Sequence, residues 1–167
     1  MTRFGYVMSA YFASLATFVT AFVHPAPRLI WNASGSVPIG LYALHRGSVP
    51  RVGSLVAITP PAALGAYLAR RRYLPLGLPL LKQVAARSGQ QVCRDGNRVL
   101  IDGRTVGFAR GRDRLGRPLP VWRGCAKLGA DQVFVMNARV PDSFDGRYFG
   151  ALPVATVAGR LTPIWTR

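Results

Sequence analysis

The chain has 167 residues, enough for one domain and too few for two sizeable cores, and at 50% apolar and 17% charged residues it is not a disordered or linker-dominated protein. Twenty-two Lys and Arg against 6 acids give a net charge of +16; 20 of the cations are Arg and all six acids are Asp. Two His, two Cys and no Glu leave too few ligands for a Cys or Cys/His zinc cluster and no paired glutamates for glycoside chemistry, so no metal and no cofactor are expected.

Residues 4–23 are twenty consecutive uncharged residues, bounded by Arg3 and by His24, Pro25, Pro27 and Arg28. A helix of that length spans roughly 30 Å, the thickness of the bilayer's hydrocarbon core. An N-terminal transmembrane anchor over residues 1–25 is the favoured reading, followed by one domain over residues 26–167. A cleaved signal segment, ending near Val19-Thr20-Ala21, and a buried globular helix are the rivals. With the anchor, the domain lies outside the cytoplasm, where a disulfide between Cys93 and Cys125 can persist and would close a loop of about 33 residues; the alternative is two buried free thiols.

Downstream, short apolar runs flanked by Gly and Pro at 41–44 and 54–58 read as buried strands. Residues 99–101 and 105–106 flank Asp102-Gly103, a two-residue hairpin signal, and 132–136 and 154–159 read as further strands. Only 61–72 looks helical, with Pro in its first turn and Arg in its last. Residues 110–123, rich in Arg, Gly and Pro, read as an exposed excursion. The fold class is therefore mainly β behind an N-terminal helix.

Lysine is the informative cation, because the chain retains just Lys82 and Lys127 among its many Arg. Arg stays protonated, whereas a desolvated Lys can lose its proton near neutrality and act as a base. Lys82 lies among Leu80, Leu81, Val84 and Ala85, so a strand here buries its flanks; the alternative is an edge lysine that snorkels to solvent. Lys127, beside Cys125, reads as surface. His45 offers a Ser/His/Asp triad in principle, but nothing in the local sequence supports one. Residues 32–42, NASGSVPIGLY, set two serines on a tight turn ahead of a strand, with Gly35 between them to let a ligand approach the backbone closely.

Taken together and in order, SGSVP at 34–38, LLKQVA at 81–86 and SFDGRYFGALP at 143–153 resemble the boxes of the type I signal peptidase superfamily, most closely its TraF-like conjugal transfer branch. The resemblance runs from the anchor to Pro153 and implies a signal-peptidase-like β domain. It makes Ser36 the nucleophile and lends the Ser34 hydroxyl to the oxyanion hole. It makes Lys82 the general base, with Gln83 where the family has Arg. It also has Ser143 orient the lysine while Asp145 and Arg147 support the site. Gly146, Tyr148, Phe149 and Gly150 complete that last box. Three departures fit the conjugal branch better than a housekeeping signal peptidase: no acid in the run 84–90, Asn137-Ala138-Arg139 where a G-D-N is usual, and Val37 where methionine is common.

The implied activity is that of a membrane-bound serine endopeptidase at the bacterial inner membrane, facing the periplasm and maturing a pilin precursor. In one branch the product is closed into a ring by the pilin's own amino terminus. The enzymatic alternative is a general signal peptidase acting on leader peptides. Partners are thus a protein precursor and the lipid bilayer, to whose anionic headgroups the Arg-rich surface could be drawn; the alternative is a solvated, Arg-biased surface. No specific nucleic acid is expected, since no helix-turn-helix or aromatic-plus-basic interleaving is present; a tethered nucleic-acid-binding protein is the non-enzymatic alternative.

Overall fold

The structure is a computed structural model that describes residues 2–22 and 28–167. Helix α1, Arg3–Phe22, covers most of the expected apolar segment and is exposed along almost all of its described side chains. Among the described residues no helix is long and apolar enough to cross a membrane, so the expected transmembrane anchor is not found among them. The physical reason is dilution: Arg3, Gly5, Ser9, Ser14, Thr17 and Thr20 interrupt the apolar residues. Thr17 and Thr20 return their hydroxyls to the helix backbone, donating to the carbonyls of Ala13 and Thr17 at 2.9 Å each. The end of the expected span at Val23 and the domain boundary after residue 25 lie outside the described residues.

The rest is mainly β. Strands β1 (Leu29–Asn32), β2 (Gly40–His45), β3 (Leu55–Ile58), β4 (Leu80–Arg87), β9 (Gln132–Val135), β10 (Leu152–Pro153) and β11 (Val157–Thr166) form a seven-stranded sheet in the order β1-β2-β11-β3-β4-β9-β10. Its pairs are antiparallel. Strands β5 (Gln91–Asp95), β6 (Arg98–Ile101), β7 (Arg104–Phe108) and β8 (Gly124–Lys127) form a smaller sheet in the order β7-β6-β5-β8. The expected hairpin at Asp102-Gly103 is the β6–β7 turn, with Asp102 at φ 49° and Gly103 at φ 77°. Both central residues at positive φ is the geometry that favours Asp-Gly.

Helix α2, Ala62–Arg70, fills the middle of the expected helix, with Pro61 at its N-cap and Arg70 in its last turn. Leu68 is the residue it buries, against Val56, Ile58, Leu80, Val84 and Val133 of the larger sheet. A second cluster, including Val92, Val99, Phe134 and Met136, joins the two sheets. The strand expected over 154–159 starts instead as a 3-10 turn, Val154–Thr156, and β11 then runs on to Thr166. Pro163 hides that extension in the sequence; it is tolerated because β3 pairs β11 only from Val157 to Arg160, and the β2 ladder is irregular between Pro163 and Trp165.

Cys93 and Cys125 are bonded, at directly opposed positions of β5 and β8. The 110–123 excursion is mostly exposed, as expected, but it is pinned. The Asp113 carboxylate accepts from the Tyr73 hydroxyl, from the Arg117 side chain and backbone, and from the Leu115 backbone. Burial pushes Asp113 up, yet those hydrogen bonds together hold it well below the usual carboxylate range. All six acids fall between Asp95 and Asp145, so strands β1 to β4 and β11 carry none.

Candidate active site

The turn that follows β1 is built around one side chain. Asn32 is 5% exposed; its Nδ2 donates to the carbonyls of Ser34, Val37 and Pro38, and its Oδ1 accepts from the Ser34 N–H and the Ser34 hydroxyl. The Tyr42 hydroxyl closes the far end, donating to the Pro38 carbonyl at 2.6 Å. These contacts orient Ser34 Oγ 3.2 Å from Ser36 Oγ. Because the Ser34 proton is engaged by Asn32 at 2.8 Å, Ser34 is the acceptor for Ser36 in this arrangement. Nothing lies within 4 Å of where a Gly35 Cβ would sit, so this glycine leaves open space on the exposed side of the turn.

Lys82 stands in the middle of β4, between paired neighbours, and is 3% exposed. Its ammonium donates to Ser143 Oγ at 2.8 Å. Burial lowers its pKa from 10.5 to about 8; the negative charge of Asp145 pulls the other way and the positive charge of Arg147 adds to the lowering. On the order of a tenth of the amine is therefore neutral at pH 7, a workable fraction for a general base. Lys127 is exposed, and the exposed ring of His45 bonds Thr162 Oγ1 at 2.8 Å rather than a carboxylate.

Ser143, Asp145 and Arg147 are all buried, and they act on the chain segment between β9 and the short helix α3, Gly146–Phe149. Asp145 and Arg147 form an ion pair at 2.9 Å with side chains 0% and 1% exposed. The Arg147 guanidinium then donates to the carbonyls of Val140, Ser143, Asn137 and Phe108, which gives the loop bearing Ser143 its shape. Gly146 occupies the position where the resembling pattern has serine. A Cβ there would come within 2.7 Å of the Phe134 ring and the Val135 carbonyl, so glycine is required by packing.

The structure thus brings Ser34 to Ser36, Lys82 to Ser143, and Asp145 to Arg147. Among the described residues no direct hydrogen bond joins the Lys82 amine to the Ser36 hydroxyl. What links the two boxes is Asn137, whose Nδ2 donates to the Ser36 carbonyl at 2.8 Å and to the Leu81 carbonyl, next to Lys82, at 3.2 Å. Val37 packs with Leu81 in one apolar cluster.

Three polar residues of this site escape a sequence reading: Asn32, Asn137 and Arg94. Arg94 is 4% exposed and donates to the Arg147 carbonyl at 2.6 Å as well as to Gly96 and Pro120. The available signal was a polar residue at an inward position of a strand or just past its end. Two apolar hollows, of about 270 Å³ beside α2 and about 240 Å³ between Trp122 and Phe149, have neither Ser36 nor Lys82 in their linings. Among the described residues no group of three or more His, Cys or acids could hold a metal ion.

The family profile described as signal peptidase, peptidase S26, matches residues 1–166. The probable conjugal transfer protein TraF of Sinorhizobium fredii is 36% identical over 145 residues, covering 81% of this chain and 76% of that one. The plasmid transfer protein TraF of Escherichia coli is 29% identical over 146 residues, covering 81% of each. Among solved structures, a signal peptidase I from Enterococcus faecalis aligns over 69% of this chain and 98% of its own, with 18% identity and a TM-score of 0.41.

Proposed function

Because the chain belongs to the signal peptidase family, peptidase S26, we propose that it is a serine endopeptidase whose nucleophile is Ser36 and whose general base is Lys82. Its proposed role is to process a pilin precursor for conjugative transfer. The observation that carries this reading is the buried Lys82 amine, held by Ser143 in the same cluster that grips the Ser36 backbone. Relatives named as conjugal transfer proteins favour a pilin precursor over the leader peptides of general export.

In the first step neutral Lys82 takes the Ser36 proton as Oγ bonds to the scissile carbonyl carbon. The oxyanion forms against the Ser36 backbone N–H and the Ser34 hydroxyl, which turns from Asn32 to donate to it. The C–N bond breaks, the proton passes from Lys82 to the leaving amine, and an acyl ester remains on Ser36. In the second step water, or the amino terminus of the same pilin fragment, attacks the ester. It gives a proton to Lys82, which returns it to Ser36 Oγ. Which nucleophile wins depends on which is held close, since positioning alone is worth several kcal/mol.

We assign the protein to the periplasmic side of the bacterial inner membrane. The Cys93–Cys125 bond supports an oxidising compartment. The exposed apolar and aromatic side chains of α1, Phe4, Tyr11, Phe12 and Phe18 among them, support contact with lipid. The test incubates the full chain in vesicles with candidate pilin precursors and reads intact mass. Ser36→Ala and Lys82→Arg each abolish processing while leaving the circular dichroism unchanged; processing retained by either variant removes the dyad. A product one water lighter than the trimmed linear chain reveals ring closure. Binding to random DNA that falls steeply with salt, with no processing of any precursor, would favour the nucleic-acid alternative instead.

A further inference from the structure

The pairing of β9 with β4 ends one residue beyond β9, where the Met136 N–H donates to the Gln83 carbonyl at 2.8 Å. A side chain then continues the ladder. The Oδ1 of Asn137 accepts from the Gln83 N–H at 2.9 Å and its Nδ2 donates to the Leu81 carbonyl at 3.2 Å. These are the peptide groups on either side of Lys82, so one carboxamide takes the part of a strand residue opposite the lysine. The second Nδ2 hydrogen goes to the Ser36 carbonyl at 2.8 Å, 101 positions away in sequence. Only this orientation of the amide satisfies all three contacts, because a flipped one would set oxygen against two carbonyls and NH₂ against an N–H. The residue is 4% exposed, and its own N–H donates to Asp145 at 3.0 Å.

We propose that Asn137 is a positioning residue that fixes the Ser36 backbone against the backbone of Lys82, and so sets the register between nucleophile and base. The inference rests on the peptidase reading for its catalytic consequence. The coupling of the two backbones rests on the hydrogen bonds alone. A carboxamide suits the task because it offers one acceptor and two donors in a plane, which neither a hydroxyl nor a carboxylate does. Displacement of a reacting group by about 1 Å costs on the order of 10²-fold in rate, so loss of this link acts on turnover rather than on substrate affinity.

The test uses Asn137→Ala, with Asn137→Ser as the second variant should the first fold poorly, in the full chain and in two backgrounds. In the native background kcat for precursor cleavage, per folded molecule, falls on the order of 10²-fold while KM changes less than about threefold. In a Ser36→Cys background the introduced thiol is the single free one, since Cys93 and Cys125 are bonded to each other. Its apparent pKa, read from the pH dependence of iodoacetamide alkylation, moves by about half a unit or more when Asn137 is replaced. An unchanged thiol pKa with kcat within about twofold of the parent overturns the proposal, as does a loss confined to KM. A thiol pKa that moves with Asn137 in a chain that cleaves no precursor upholds the link and defeats the peptidase reading.

Discussion

Asp145 and Asp142 stand three residues apart in one loop, and each is paired with arginine, yet they belong to different physical worlds. Asp145 meets Arg147 with both side chains essentially fully buried. Asp142 meets Arg110 and Arg114 with its own side chain 25% exposed and its partners 53% and 78% exposed. The buried pair is enmeshed in backbone carbonyls and in the Asn137 N–H, so it shapes the loop that carries Ser143. The exposed set touches solvent and salt, and its partners are bought out by water at little loss. Position relative to the core, more than chemical type, decides which carboxylate the site depends on.

That contrast can be broken or sharpened in four ways. The largest effect is expected from Asp145→Ala, which strands a buried guanidinium and costs about 3 to 5 kcal/mol of stability, read by denaturant titration. A loss no greater than that of Asp142→Asn would erase the distinction. Next comes Ser34→Ala, expected to lower turnover by on the order of 10² to 10³ without moving the melting midpoint, as for loss of one oxyanion donor. A loss as complete as that of Ser36→Ala would mean that the two serines exchange roles.

Third is the pH dependence of Lys82. Its folded-state pKa of about 8 lies below the 10.5 of the free side chain. Below about pH 8 both states are protonated and the fold bears the whole cost of burying the charge, about 3 kcal/mol. Between about 8 and 10.5 the folded chain has shed its proton and the unfolded chain has not, so stability rises with pH; above 10.5 the cost is gone. Lys82→Met should therefore raise the melting midpoint at pH 7, by an amount worth about 1 to 3 kcal/mol, and the gain should shrink through that window. Precursor cleavage by the parent chain should rise as pH passes about 8, where the amine becomes neutral. A rate independent of pH from 6 to 9 would exclude Lys82 as the base. The smallest effect is that of Asp142→Asn, expected to leave both the melting midpoint and turnover unchanged.

Buried apolar runs were legible. The strands over 41–44, 54–58 and 99–101 and the helix over 61–72 are recovered as β2, β3, β6 and α2, because each is a run of apolar letters bounded by Gly, Pro or charged residues. Strands β1, β5 and β8 were not, and β8 shows why: all four of its residues are exposed, so its pairing with β5 leaves no alternation to read. At the site, the residues that resemble family boxes could be named from the chain alone. Asn137 shows there only as a departure from the family pattern, since its value lies in meeting Ser36 and Leu81, and that meeting is made by the sheet order rather than by anything near position 137. Arg94 is hidden for the same reason, its carbonyl partner at 147 lying 53 positions on.

The segment from Asn32 to Pro38 folds around its own internal carboxamide, which answers to Ser34, Val37 and Pro38. Its curvature is thus restrained first within seven contiguous residues, with Tyr42 and Asn137 gripping it from outside. The turn that presents the hydroxyl carries its own internal restraint, and its placement against the lysine strand falls to the residue that receives it from across the sheet.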